Sequence, residues 1–287
     1  MSEPVFPFVL IDVTRPQVED FSMQLFDLGA LGVEERDATT LVKSRKHDRI
    51  TLVASFASRE EAEAAVAELD PNLSPAIEEI IGDAWRDSWK EHFRPFEFCP
   101  GIVVRPPWEP YEKKGGEYVL ELEPGRAFGT GLHETTSLVA LVLAEHKETL
   151  RDASVLDLGC GSGILGLVGL VYGAKDVLFA DIDPDAVEVS RENAERNGML
   201  ERGEYRASGI EGIQGTFPVV VANIEARVLI PMADALIDKV APGGLLVLSG
   251  ILVPQAEAVT QAYARPHLTP LEQKVRGEWV SLAFERS

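Results

Sequence analysis

The chain has 287 residues, more than one average domain, and carries 47 acidic against 27 basic side chains for a formal net charge of −20. A surface so acidic repels nucleic-acid phosphates and anionic lipid, so neither direct nucleic-acid binding nor membrane binding is expected, while a basic protein partner is suited. Cys99 and Cys160 are too few and too far apart for a disulfide framework or a metal site, no apolar run approaches eighteen residues, and residues 1–10 lack a secretory signal, so a cytoplasmic protein without a metal is expected.

Residues 5–13 read as a strand, followed by a helix with Val18, Phe21, Leu25 and Leu28 on one side, stopped at Gly29 and Gly32. A second strand spans 50–56. Ser58 with Glu61 then gives a capping-box start to a helix that buries Ala62, Ala65, Val66 and Leu69, and Asp70-Pro71 ends it before a short strand at 77–81. This alternation predicts a small ferredoxin-like α/β domain over 1–82. The stretch DAWRDSWKEHF, 83–93, predicts a connecting helix whose Trp85 and Trp89 lie one turn apart and pack a junction. Prolines from 95 to 110 imply extended chain, so 83–117 is read as a connector and 118–287 as the second domain.

In the second domain strand and helix alternate, with strands expected at 154–158, 177–181, 205–207, 219–223 and 245–249 and two closing strands at 268–274 and 279–285. Several are continuous apolar runs, as required when helices cover both sheet faces. The fold class predicted is α/β: a doubly wound, mostly parallel seven-stranded sheet with a smaller N-terminal α/β domain.

The strongest local signal is VLDLGCGSG at 155–163, a buried strand running into a glycine-rich turn and directly into an apolar helix. Glycines there let backbone approach a ligand, with amides presented from the helix start. A dinucleotide fingerprint needs spacings of two and then three between its glycines; Gly159, Gly161 and Gly163 are spaced two and two, and Ile164 stands where the last glycine belongs. Asp157 repels a pyrophosphate but suits the ammonium of a methionyl group. Asp181, at the end of the next strand, is placed to accept hydrogen bonds from ribose hydroxyls, and Asp183 before Pro184 reads as a helix cap.

Two further strings narrow the reading: EPGRAFGTGLHETT at 123–136 and VVVANI at 219–224. Together with DLGCGSG, DIDPDAVEVSRENAERNG and DAWRDSWKEHF they resemble the PrmA family of ribosomal protein L11 methyltransferases, over most of the chain. The resemblance implies a class I fold, S-adenosylmethionine as methyl donor, and transfer to amino groups (lysine side chains or the N-terminal α-amine) of a basic ribosomal protein held by the N-terminal domain. It also implies donor contacts at Thr136, Gly159, Asp181 and Asn223. Asp157, Gly161, Gly163 and Thr130 complete the candidate donor site, with Thr136 donating its hydroxyl and Phe128 a candidate cover.

Asn223 ends a strand beside the reactive centre, where its amide oxygen can hold an acceptor amine and aim the nitrogen lone pair. No catalytic base is required, and His133 is the only histidine near the motifs. The chain departs from the family where Glu225-Ala226-Arg227 replaces a small apolar turn, and where Ala207-Ser208-Gly209 stands in place of an acid for adenine, leaving Ser208 as the weak candidate. A monomer is expected. Three other readings stay open: a methyltransferase acting on another protein or a small-molecule amine, a NAD-dependent oxidoreductase, and a binding protein without activity.

Overall fold

The computed structural model describes residues 5–36, 44–45, 49–81, 93–123 and 133–287. The chain divides into two compact units, Met1–Phe93 and Arg94–Ser287. The expected helix carrying Trp85 and Trp89 lies outside the described residues, as do Thr130 and Phe128.

In the first unit, alternation along β1 (Val5–Val13) sends Val9, Ile11 and Val13 to one face, where they pack with Leu25 of α1 (Val18–Asp27). The chain continues through β2 (Gly32–Arg36), β3 (Ile50–Ser55), α2 (Arg59–Glu68) and β4 (Ala76–Ile81). Ser58 caps α2 by accepting the Glu61 amide, and Ala62 and Ala65 join the same core. The sheet order is β2-β3-β1-β4 with every pair antiparallel, the ferredoxin-like arrangement. The sequence reading missed β2. Its residues, GVEER, are half-buried or exposed at the sheet edge, so no apolar alternation marks it.

The second unit begins earlier than expected. Residues 94–117 are not a connector: β5 (Phe96–Cys99) and β6 (Ile102–Arg105) form a three-stranded sheet with β7 (Tyr118–Glu121). Phe98, Ile102, Val104 and Leu120 are buried in one cluster with Val155 and Leu167. The prolines that suggested a linker, Pro100, Pro106 and Pro107, fall between the short strands, where no ladder hydrogen bond is needed.

The main sheet is built from β8 (Ser154–Leu158), β9 (Asp176–Asp181), β10 (Gly203–Ala207), β11 (Phe217–Asn223), β12 (Val240–Leu252), β13 (Leu268–Arg276) and β14 (Trp279–Arg286), in the order β10-β9-β8-β11-β12-β14-β13. The first five run parallel and β14 is antiparallel to both neighbours. Helices α3 (Glu134–Glu145), α4 (Lys147–Leu150), α5 (Ile164–Val171), α6 (Pro184–Arg196), α7 (Ala226–Leu229), α8 (Ala233–Ile237) and α9 (Ala256–Ala262) complete the unit.

Alternation explains the apolar runs. Val155, Val219, Val221 and Val247 pack on one face with α3 and α5, while Leu156, Leu158, Val220 and Leu248 pack on the other with Leu229, Leu236 and Val259. Each such burial contributes about 1.5–3 kcal/mol. From β8 the chain winds outward to β10 and then returns to β11 on the other side, so the carboxyl ends of β8 and β11 flank the crevice where such sheets bind ligands.

Candidate active site

At that crevice lies a cavity of about 510 Å³, walled by Leu158, Gly159 and Gly161 from the β8 end, Asp181 and Ile182 from β9, Ser208 and Ile210 after β10, Asn223 and Ile224 from β11, and His133, Thr135 and Trp279. Of the candidate donor residues, Gly159, Gly161, Asp181 and Asn223 meet around this cavity; Asp157, Gly163 and Thr136 do not line it.

The loop after β8 corrects one expectation. Its amides are not offered to a ligand: those of Gly159 and Cys160 donate to Ala180 O at 2.7 and 3.1 Å, that of Gly161 to Asp181 Oδ2 at 3.1 Å, and that of Gly163 to Cys160 O at 2.8 Å. What the glycines supply is closeness. Gly159 has φ +69°, and a Cβ there would lie 2.8 Å from Ile224 Cγ1. A loop with these four donors already used is a poor cradle for a pyrophosphate, which speaks against the dinucleotide reading.

Gly163 shapes the turn instead of touching the cavity; with φ +77° it starts α5, and a Cβ would strike Ser190 at 2.8 Å. The close helix–strand packing that a dinucleotide fold gives to its third glycine falls here to Gly166, whose added Cβ would meet Phe179 Cε1 at 2.3 Å. The sequence reading did not single it out.

Asp157 is a second correction. Strand alternation turns its side chain to the same face as Val155, under α5, where it is buried and its Oδ2 accepts the Gly166 amide at 2.9 Å. It serves the helix start, replacing the capping side chain that Gly163 lacks, and no surface of it meets the cavity. Burial pushes its carboxyl up to about 7, with the Gly166 hydrogen bond opposing and the charge of Asp181 adding to the rise. Asp181, by contrast, sits at the cavity wall. Its Oδ2 accepts the Gly161 amide and its Oδ1 the Asp183 amide at 3.0 Å, which fixes the carboxylate and leaves it lone pairs for hydroxyl donors. Asp183 caps α6 through the Asp185 amide at 2.9 Å, with Pro184 at the first helical position, as its sequence predicts.

On the β11 side, Asn223 Nδ2 donates to the hydroxyls of Thr135 and Thr136, both at 3.3 Å. Its Oδ1 is buried and has no hydrogen-bond partner among the described residues. Thr135 and Thr136 are both buried, and of the two only Thr135 lines the cavity. Adjacent threonines differ because successive helical positions are rotated about 100° and only one can face the crevice. His133 caps α3, with Nδ1 2.8 Å from Thr135 Oγ1 and its ring edge-on to Trp279 at 5.0 Å.

Ile210, Val228, Met232, Gly250 and Trp279 line the cavity outside every motif, and Ile182, 81% exposed, lies inside one without being assigned a role. A Cβ on Gly250 would lie 2.6 Å from Ile224 O, so only glycine lets β12 pass beside the turn after β11. The departing residues Glu225 and Arg227 stand exposed at the cavity, paired with each other. Asn193 of α6 and Asn197, which ends it, have bonds that their local sequence does not announce. Asn197 bonds both the N–H and the C=O of Glu121 at 2.8 Å, and Asn193 joins the Glu123 amide at 3.3 Å to Ser162 O at 2.9 Å. Asn193 thereby ties the start of EPGRAFGTG to the glycine loop, and Asn197 holds Glu121 just before it.

Comparison with known proteins agrees with this geometry. The family model described as "Ribosomal protein L11 methyltransferase (PrmA)" matches residues 7–287. The chain belongs to that family. A relative in it, the ribosomal protein L11 methyltransferase of Sorangium cellulosum, is 51% identical over 265 residues, covering 91% of this chain and 84% of the relative. That of Geobacter sulfurreducens is 36% identical over 294 residues, covering 97% and 95%. Among solved structures, the ribosomal protein L11 methylase of Lactobacillus delbrueckii subsp. bulgaricus superposes with a TM-score of 0.62 at 29% identity, covering 68% of this chain and 99% of that one. The seven-stranded sheet of this PrmA family member is thus that of a methyltransferase, and the protein is an enzyme of that class.

Proposed function

We propose that this protein transfers methyl groups from S-adenosylmethionine to amino groups of ribosomal protein L11. The carrying observation is Asn223, a residue of the cavity wall whose buried Oδ1 has no hydrogen-bond partner among the described residues while its Nδ2 is tied down by two threonines. An unmet buried acceptor costs roughly 1–3 kcal/mol, and an amine N–H relieves that cost. The acid-rich surface, at net −20, complements a basic ribosomal protein.

S-adenosylmethionine, when bound, supplies a methyl group on a sulfonium for in-line displacement, so placement of the reactants contributes much of the rate. The residues present fit it. Gly159 and Gly161 give a wall without side chains, Asp181 holds two fixed carboxylate oxygens for ribose hydroxyls, and Ile182 and Ile210 give apolar faces for a flat base, with Ser208 beside them. Asn223 Oδ1 accepts from the substrate amine and orients its lone pair. The amine must be neutral. That costs around 1 kcal/mol at neutral pH for an α-amine and roughly 4–5 kcal/mol for a lysine, and the apolar enclosure together with a nearby positive charge favours the neutral form. No side chain is needed to take the proton before the amine enters.

The first unit is read as the module that holds the substrate, and the enzyme as a cytoplasmic monomer that binds no nucleic acid directly. Among the described residues no helix is long and apolar enough to cross a membrane. Intact-mass analysis of purified ribosomal protein L11, incubated with this protein and S-adenosylmethionine, tests the proposal. Mass gains in steps of one methyl group are expected; an unchanged mass overturns it.

A further inference from the structure

We infer that His133 is a positioning residue whose Nδ1 sets the direction of the Thr135 hydroxyl and thereby makes Asn223 present its amide oxygen, and not its nitrogen, to the cavity. The inference rests on reading Asn223 Oδ1 as the acceptor for the amine.

A chain of donors and acceptors carries it. His133 is the N-cap of α3, with φ −78° and ψ 140°, and its Nδ1 receives the Thr135 backbone N–H at 3.4 Å. A backbone N–H only donates, so Nδ1 is an acceptor and the neutral ring carries its proton on Nε2. The Thr135 hydroxyl lies 2.8 Å from the same Nδ1 and must therefore be the donor of that pair. A hydroxyl has one proton. Having given it to His133, Thr135 Oγ1 shows only lone pairs to the amide 3.3 Å away, and the amide atom that faces lone pairs is Nδ2. The 180° alternative would set the Asn223 oxygen against the Thr135 lone pairs and turn an NH₂ toward the substrate, where it would repel an amine's N–H.

The arrangement separates the two ring nitrogens. The bond network uses Nδ1, whereas a general base acting on the substrate would use Nε2. The ring is steadied against Trp279 at 5.0 Å, so packing and hydrogen bonding can be removed independently. It also explains why Asn223 Oδ1 has no partner among the described residues, a feature that a helix cap alone does not require.

The test uses the full-length enzyme and four variants, with donor affinity by calorimetry and melting temperature measured for each. His133→Phe keeps an aromatic ring and removes the acceptor. His133→Asn restores an acceptor near the Nδ1 position and a competent cap but has nothing at Nε2. Thr135→Val and Thr135→Ser remove and restore the hydroxyl. Both His133→Phe and Thr135→Val should lower kcat for methylation of ribosomal protein L11 about 10- to 100-fold with KM nearly constant, the scale expected when a reacting group is misaligned. The Asn and Ser variants should recover most of that loss. The His133→Phe/Thr135→Val double variant should be no slower than either single one, because one relay is broken twice.

Losses that multiply in the double variant overturn the inference. So does a His133→Asn protein that binds donor and melts like the wild type yet is as slow as His133→Phe, because that outcome assigns the chemistry to Nε2. Should the wild type leave L11 unmodified, the proposed function fails, and the inference is then judged on the side-chain amide NMR signals of Asn223. Those should move in His133→Phe and Thr135→Val but stay near wild-type positions in His133→Asn and Thr135→Ser; equal shifts in all four overturn it.

Discussion

On the β8 side of the cavity, the loop amides of Gly159, Cys160, Gly161 and Gly163 are all bonded within the protein, and the nearby Asp157 is buried beneath a helix start. On the β11 side the same economy stops one atom short: Asn223 has both amide hydrogens directed at threonines and its oxygen bonded to nothing among the described residues. The first side meets a ligand by shape, through missing side chains and one fixed carboxylate. The second meets it by an unmet hydrogen bond. A donor that must sit in one place calls for rigidity, and an acceptor that arrives on another protein calls for a vacancy of defined polarity.

The largest expected effect probes how much the closed β8 side costs. The folded carboxyl of Asp157 is raised from 3.8 to about 7, chiefly by burial. The folded state therefore holds this proton more tightly than the unfolded chain does. Its favourable contribution is present below the unfolded value and is lost as the pH rises through about 7. Denaturant titrations of wild type and Asp157→Asn between pH 4 and 8 should show the wild type losing up to about 4 kcal/mol relative to the variant. A pH-independent gap would mean that the buried group is not Asp157.

Next, Asn223→Ala should break the contrast from the open side. Single-turnover methylation is expected to fall about 100-fold, near 2.7 kcal/mol, while donor affinity measured by calorimetry changes far less. Equal losses in both would make Asn223 part of the donor's seat. Gly159→Ala should do the reverse. With φ +69° and Ile224 at 2.8 Å, the methyl group adds roughly 1–3 kcal/mol of strain, to be seen in melting temperature and in donor affinity more than in the chemical step. The smallest effect lies away from the cavity. Burial pushes the Glu272 carboxyl up, but Lys274 and His146 outweigh it and hold the group below its ordinary range. Its contribution is present above the ordinary carboxylate value and lost as the pH falls through the lowered one, so Glu272→Gln should cost under about 1 kcal/mol at neutral pH and nothing in acid.

The main sheet was legible because both of its faces are covered: β8, β11 and β12 carry apolar runs whose successive residues pack on opposite faces, and that leaves a long mark in the chain. The glycine loop was legible for its spacing, and Asp183 because a cap and its proline are local. What escaped depends on partners distant in sequence. Nothing near Asp157 says which face α5 will cover, so a buried cap was mistaken for a ligand contact. Nothing near Asn193 and Asn197 says that they will bond backbone about seventy residues upstream. Strand β2 was hidden by charge at a sheet edge, and β5 and β6 by prolines that lie between strands and not in them.

One feature of the sheet bears on how the enzyme is made. Strand β14 is hydrogen-bonded between β12 and β13, and it delivers Trp279 to the cavity. A nascent chain halted before residue 279 therefore exposes the edge of β12, a row of unpaired amides and carbonyls beside an already apolar surface. The pairing of β14 with β13 is a tight hairpin, Arg276 facing Trp279, whereas its pairing with β12 joins segments farther apart in the chain, such as Leu245 and Glu285, the slower kind. The edge of β12 stays open until β14 inserts, and the same insertion finishes the wall of the catalytic crevice.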